Sequence, residues 1–178
     1  MGIANKILPY YTYKDWVHWE GQWELIEGHP FAMSPAPTPS HQRTCAKIIS
    51  KLEQAVENSH CKKCQVYNFI DYKIQDDTIL QPDVLVVCGE IKKKYLDFPP
   101  TLVVEILSPA TALKDRHTKF ELYQKQSVKY YLIVDIDKKN IEVFHLKDGK
   151  YQLETNSYQF QLEEGCRIEP NFNNIFTP

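Results

Sequence analysis

Two short runs made almost wholly of Val, Leu and Ile constrain this chain more than any other feature: Gln81-Pro82-Asp83-Val84-Leu85-Val86-Val87 and Thr101-Leu102-Val103-Val104-Glu105-Ile106-Leu107. Continuous apolar runs of this length, bounded by Pro and Ser, read as strands buried on both faces. Each nonetheless carries one carboxylate, Asp83 in the first and Glu105 in the second. Taking an ionised carboxylate out of water costs several kcal/mol unless it is paired, hydrogen-bonded or bound to a metal, so two of them on successive strands point to one shared site. Downstream, Asp115, Lys119 and Tyr123 follow at i, i+4 and i+8, close to one stripe of a helix. The two strand acids could then converge with the amine and hydroxyl of that stripe, and Asp115 beside them, which is the inventory of a divalent-metal site for phosphoryl chemistry.

With 178 residues, 43% of them apolar and 12% aromatic, the chain has material for one domain with a full core and not for two ordinary ones. Its longest apolar runs fall well short of the ~18 residues that a membrane-spanning helix needs. The opening Met1-Gly2-Ile3-Ala4-Asn5-Lys6-Ile7-Leu8-Pro9 lacks an uninterrupted apolar stretch followed by a small-residue cleavage site, which reads against a signal peptide and for the cytoplasm. A formal charge of −2 gives no global attraction to nucleic acid. Local clusters, Lys62-Lys63, Lys92-Lys93-Lys94 and Lys138-Lys139, could face phosphates, although each reads first as a solvated loop.

Five cysteines at positions 45, 61, 64, 88 and 166 are an odd number without the density of a disulfide scaffold, so reduced thiols are expected. Cys61-Lys62-Lys63-Cys64, beside His60, has the spacing of half a zinc knuckle or of a redox pair. Cys88 and Cys166 stand alone in sequence and complete no second pair, so a solvent-exposed turn between a helix and a strand is the expected structure here.

In chain order, residues 12–19 are expected to form a short amphipathic helix laid on the core, capped by Thr12. Trp23 to Pro35 reads as a hairpin about Gly28, and the proline-rich 35–40 segment as a fixed loop. Ile48, Ile49, Leu52 and Val56 recur at helical steps over 41–58, with Thr38 or Ser40 as the cap. The alternating segment 65–75 reads as one half-buried outer strand, turning at Asp76-Asp77 into the central strand that carries Asp83. Glu105's strand follows, then a helix over 113–126 capped by Ser108 or Thr111. Strands through Tyr131 and through 140–146 come next, then a hairpin at Asp148-Gly149 and an extended tail. The sum is one α/β domain over 1–178, a mixed sheet flanked by helices. Its parts are an N-terminal helix and hairpin over about 12–35, a core over about 38–147 and a C-terminal tail over about 150–178.

The motif order Trp23-Glu24-Leu25-Ile26-Glu27-Gly28, Met33-Ser34-Pro35-Ala36-Pro37 with His41, Pro82-Asp83, Val104-Glu105-Ile106-Leu107-Ser108-Pro109, Asp115-Arg116, Lys119, Leu122-Tyr123, Val128-Lys129-Tyr130-Tyr131 and Asn174-Ile175-Phe176 resembles the Uma-two family. That family of restriction-endonuclease-like proteins lies within the PD-(D/E)XK nuclease superfamily, and the resemblance covers nearly the whole chain. It implies a restriction-endonuclease-like fold and a Mg²⁺- or Mn²⁺-dependent endonuclease acting on nucleic acid, DNA first. Asp83 and Glu105 would bind the metal with the carbonyl of Ile106, and Glu27 would add an acid from the hairpin. Superfamily members usually carry a lysine two residues after the second acid, where this chain has Leu107. The resemblance therefore implies a migrated lysine, Lys119, with Ser108, Asp115, Tyr123 and His41 in support. Products would carry a 5′-phosphate and a 3′-hydroxyl.

Two other classes share the same residues. With Leu107 in place of lysine, the chain could be a nuclease-fold binding module that no longer cuts. Alternatively, Asp83, Glu105, Asp115 and Lys119 could form a purely structural buried network. A serine or cysteine hydrolase is disfavoured by the lack of a nucleophile elbow. No membrane partner is expected, and a homodimer would place two sites for the two strands of a duplex.

Overall fold

The computed structural model describes residues 8–33, 36–155 and 158–177, so Ser34 and Pro35 of the proline-rich motif lie outside the described residues. The first helix, α1, covers only Tyr13–Trp16 and buries no residue. Thr12 starts it, its backbone N–H donating to Asp15 Oδ2 at 2.8 Å. The helix expected over 12–19 is thus shorter and lies outside the core, held by Trp16 Nε1 donating to the Trp23 carbonyl at 2.8 Å. Strands β1 (Trp23–Ile26) and β2 (His29–Ala32) form the expected hairpin. Its two tip residues, Glu27 and Gly28, both have left-handed φ, 48° and 77°. That is the pattern of a two-residue primed turn, which matches the twist of its strands.

Helix α2 (Pro39–Glu57) is capped by Thr38, whose hydroxyl accepts the His41 N–H at 3.3 Å. The segment 65–75 is two strands rather than one. β3 (Cys64–Asn68) stops at Phe69, which sits at φ 51°, and β4 (Tyr72–Gln75) continues in a different sheet. Its partner run divides likewise into β5 (Thr78–Leu80) and β6 (Val84–Cys88), parted at Gln81-Pro82-Asp83, where Pro82 has no N–H for a ladder. The first run alternates without a break and the second is apolar on both sides of Gln81-Pro82-Asp83, so periodicity alone does not reveal that the chain changes sheets.

β7 (Leu102–Ile106) leads through a π-helical segment, Lys114–Lys119, into α3 (Phe120–Lys125) and on to β8 (Tyr130–Asp135). β9 (Asn140–Lys147) and β10 (Lys150–Glu154) form the hairpin expected at Asp148-Gly149. A small hairpin, β11 (Phe160–Glu163) with β12 (Cys166–Ile168), closes the chain. The main sheet runs β10-β9-β8-β7-β6-β3, with β7 and β8 parallel and the other neighbours antiparallel. The second sheet runs β2-β1-β5-β4. The chain is therefore a mixed α/β fold, with β3 at the outer edge and the apolar runs inside.

The period of two in β6 and β7 sends alternate side chains into two separate cores. Val84, Val86, Leu102, Val104 and Ile106 pack with Ile48, Leu52 and Val56 of α2. Leu85, Val87 and Val103 pack on the other face with Tyr123, Tyr131 and Ile26, Tyr72 and Leu80 from the second sheet. Each fully buried aliphatic side chain contributes about 1.5–3 kcal/mol, so both layers hold the central strands in place.

The cysteines differ from expectation. Cys61 is joined to Cys166 and Cys64 to Cys88 as disulfides, while Cys45 is a buried free thiol. The β3–β6 register sets Cys64 directly opposite Cys88, and the C-terminal hairpin brings Cys166 to the turn that holds Cys61. Neither proximity is visible in sequence spacing. The turn is also not simply exposed: Cys61 and Cys64 are buried and only Lys62 and Lys63 reach solvent.

Candidate active site

The two carboxylates on the apolar runs meet because β6 and β7 are adjacent and antiparallel. Val84 pairs with Val104, and continuing that register by one residue sets Asp83 across from Glu105. Both are buried, Asp83 at 7% exposure and Glu105 at 3%. Asp83 Oδ2 accepts the backbone N–H of Ile106 at 2.7 Å, which fixes the acid at the end of β7. His41, in the first turn of α2, places Nε2 at 3.0 Å from the Ile106 carbonyl and 3.4 Å from Asp83 Oδ2. Its other ring nitrogen, Nδ1, is buried and has no partner among the described residues.

Glu105 faces the π-helical segment and α3. Its Oε1 accepts from Lys119 Nζ at 2.9 Å and from the Tyr123 hydroxyl at 2.7 Å. Lys119, 1% exposed, also lies 3.5 Å from Asp115 Oδ1 and 2.7 Å from Glu24 Oε1. Of Asp115, Lys119 and Tyr123, read from the sequence as one stripe, Lys119 and Tyr123 contact Glu105, and Asp115 faces Lys119. The wide turn leaves the Asp115 carbonyl to accept the Tyr131 hydroxyl at 2.9 Å.

Glu24 enters from the second sheet and is missing from the sequence-derived set. It is fully buried on β1; its Oε1 accepts the Gln81 N–H at 3.0 Å and its Oε2 pairs with Lys114. Glu27, expected to supply this acid, is exposed at the hairpin tip, where its N–H donates to the Thr78 hydroxyl at 3.2 Å. Strict alternation allows either glutamate to point inward. The signal that separates them is the Glu27-Gly28 turn, since a tip residue points away from both strands. Ser108 stays with Thr111, hydroxyl to hydroxyl at 3.0 Å, and makes no contact with the acids. Leu107, at the position of the usual strand lysine, packs against the apolar layer instead. Of the lysine clusters, Lys93 pairs with Asp97 at 2.6 Å and Lys138 with Asp135 at 3.5 Å.

Electrostatics decide what such a cluster can hold. Burial pushes the Glu105 carboxyl well above the usual carboxylate range; Lys119 pulls it down, and the charges of Asp115, Asp83 and Glu24 push it up again. Burial likewise raises Asp115 against the pull of Lys119 and a Thr111 bond. Glu24 is also penalised by burial, but Lys119 and Lys114 together overcome this and hold it below its ordinary value. For Lys119 burial favours the neutral amine, yet Glu105, Glu24 and Asp115 outweigh it and keep the ammonium charged. His41 follows the same pattern, its burial outweighed by Asp83 and the Ile106 carbonyl.

Four carboxyl groups, Glu24, Asp83, Glu105 and Asp115, thus face two ammoniums, Lys114 and Lys119, a deficit of two positive charges before His41 is counted. Protons or a divalent cation relieve such a deficit. The donors are all hard oxygens, and among the described residues the buried Asp115 Oδ1 has only the Lys119 ammonium, 3.5 Å away, facing it. Oxygen donors of this kind suit a hard divalent cation rather than a softer one.

Residues 10–174 match the Uma2 family, described as "Putative restriction endonuclease". The chain belongs to this family. Among Uma2 relatives and similar proteins, the uncharacterized protein slr1290 of Synechocystis sp. is 27% identical over 153 residues, covering 79% of this chain and 76% of that one. A crystal structure described as a putative nuclease belonging to DUF820, from Anabaena variabilis, superposes with a TM-score of 0.67 at 17% identity. The superposition covers 82% of this chain and 84% of the other, and at that identity it speaks for the fold.

Proposed function

We propose that this Uma2 chain is a metal-dependent endonuclease that hydrolyses phosphodiester bonds in nucleic acid, DNA first. The observation that carries the reading is the group of four buried carboxyls facing two ammoniums and His41, in a chain whose family is described as "Putative restriction endonuclease". Asp83, Glu105 and the Ile106 carbonyl would hold Mg²⁺ or Mn²⁺, with Glu24 in the part first given to Glu27. When bound, the ion supplies a water of lowered pKa and offsets charge developing on the phosphorus.

The chain's own residues do the rest. Ile106 N–H and His41 orient Asp83, while Lys119 and Tyr123 orient Glu105. Lys119 comes from the π-helical segment rather than from β7, and it supplies the positive charge that Leu107 cannot. His41 and Asp83 have side chains about one-tenth exposed, 9% and 10%, so a phosphate would arrive on their side of the cluster. Two copies about a two-fold axis would serve the two strands of a duplex.

One observation favours the structural reading instead. Lys119 is buried against three carboxylates, as in a core ion-pair network. Cleavage of supercoiled plasmid and single-stranded DNA with Mg²⁺ or Mn²⁺ separates the two. Metal-dependent nicking by the wild type, lost in Asp83→Asn, Glu105→Gln and Lys119→Ala, is the expected result. A wild type that neither nicks nor gains thermal stability with Mn²⁺ rules out the nuclease and leaves the non-cutting binding module and the structural network.

A further inference from the structure

On the opposite face of the main sheet from the carboxylates, four sulfurs from distant parts of the chain share one corner. Cys61 ends the turn after α2, Cys64 opens β3, Cys88 closes β6 and Cys166 opens β12. Bond partners are 105 and 24 residues apart in sequence. The two disulfides are not independent staples, because Cys64 Sγ lies 3.7 Å from Cys166 Sγ across them. The sulfurs of Cys61, Cys64 and Cys166 all lie within 4.8 Å of one another, and Cys88 adjoins them through Cys64.

We propose that the reduced protein binds one Zn²⁺ at this corner through the thiolates of Cys61, Cys64, Cys88 and Cys166. Tetrahedral zinc with Zn–S bonds of about 2.3 Å requires sulfurs about 3.8 Å apart, which is the spacing already present between Cys64 and Cys166. The Cys-x-x-Cys turn is closed by the Cys64 N–H donating to the Cys61 carbonyl at 3.1 Å, and it holds the two sulfurs within 4.8 Å of each other. Lys62 and Lys63 stand exposed between them, and their two charges balance the −2 of a zinc tetrathiolate. Three of the four cysteines are 2–4% exposed, so once reduced their thiols have no water to turn to. Two equivalents of a dithiol reductant open both disulfides to four thiols, becoming disulfides themselves. Zn²⁺ then displaces four protons.

Four protein ligands leave no open position, so the ion is structural. It joins the turn after α2, the β3–β6 edge pair and the C-terminal hairpin. The sulfurs belong to the apolar layer on the α2 face and Glu105 faces the other layer, so the site stands or falls independently of the nuclease reading.

The test is the metal content of full-length protein, reduced with a phosphine, exposed to a zinc salt and desalted. One zinc per chain is expected, and substitution by Co²⁺ should give the visible bands of a tetrahedral tetrathiolate. Thiol modification by an organomercurial should release the zinc in step with four thiols, a readout that needs no variant to fold. Cys88→Ser and Cys166→Ser should bind about tenfold more weakly or not at all, while Cys45→Ser should keep its zinc. A folded, reduced wild type without stoichiometric zinc would overturn the proposal. So would zinc that survives both Cys88→Ser and Cys166→Ser.

Discussion

Lys119 Nζ lies 2.7 Å from Glu24 Oε1, although Glu24 stands in the smaller sheet and Lys119 on the segment that leaves the larger one. A single buried ammonium therefore ties two layers together, and the same contact completes the acid cluster. Replacing Lys119 with Met keeps most of its volume but strands Glu24, Glu105 and Asp115. The expected loss is about 3–5 kcal/mol, the usual cost of leaving a buried ion-pair partner uncompensated. Urea unfolding at neutral pH measures it, and a loss below about 1 kcal/mol would mean that the acids are neutralised some other way.

Tyr123→Phe removes only the hydroxyl that donates to Glu105 at 2.7 Å and leaves the ring beside Tyr131 in place. A buried carboxylate deprived of one donor is destabilised by about 1–3 kcal/mol. Thermal unfolding should show the drop, and an unchanged midpoint would show that the bond contributes nothing net.

Glu24→Gln and Glu27→Gln separate the buried glutamate from the exposed one three residues later. Glu27→Gln should alter stability by no more than about 0.5 kcal/mol and leave any Mn²⁺-induced stabilisation unchanged. Glu24→Gln should weaken that stabilisation, because it removes an acid that contacts both Lys114 and Lys119. Calorimetric titration with Mn²⁺ distinguishes the two, and equal behaviour would remove Glu24 from the metal's surroundings.

Burial raises the pKa of Asp71 above its ordinary value, only partly offset by the Gln81 side-chain amide that donates to it at 3.1 Å. The folded state then holds its proton more tightly than the unfolded chain does. This acid therefore costs stability above its folded pKa, and the cost disappears as pH falls below its unfolded value. Asp71→Asn keeps an oxygen to accept from Gln81 and removes the charge. It should stabilise the protein at neutral pH and have little effect in acid, as denaturant midpoints at the two pH extremes will show. A destabilised Asn variant at neutral pH would contradict this sign.

The sequence is most legible where the physics is local. Alternation along β6 and β7 leads to the observed facing of Asp83 and Glu105, because the strand period sets that direction; the spacing of Asp115, Lys119 and Tyr123 picks out the right residues, but the π-helical winding of Lys114–Lys119, which the α-helical period does not foretell, sets their directions. Lys119 reaches Glu105 from the segment that follows the same strand, so its place is readable as well. Glu24 is not, since its direction depends on where the β1–β2 turn falls and on the docking of a second sheet. The changes of sheet at Phe69 and at Pro82 leave no mark on the period-two pattern. The cysteine corner depends on the β3–β6 register and on the fold-back of the last hairpin, both contacts between segments far apart in sequence.

The π-helical winding of Lys114–Lys119 packs one residue more into its turn than an α-helix holds. On an α-helix, residues five apart diverge by about 140°, yet here Lys114 and Lys119 reach the two oxygens of the same carboxylate, Glu24. Deleting one exposed residue from this turn, His117 for instance, would restore the commoner winding and give a more regular helix. It would also swing Lys114 and Asp115 about 100° away from the acids. A single-residue deletion, tolerated in most surface helices, should therefore cost as much here as losing Lys119 itself, because the length of this turn and the identities of Lys114, Asp115 and Lys119 together bring the charges to Glu24.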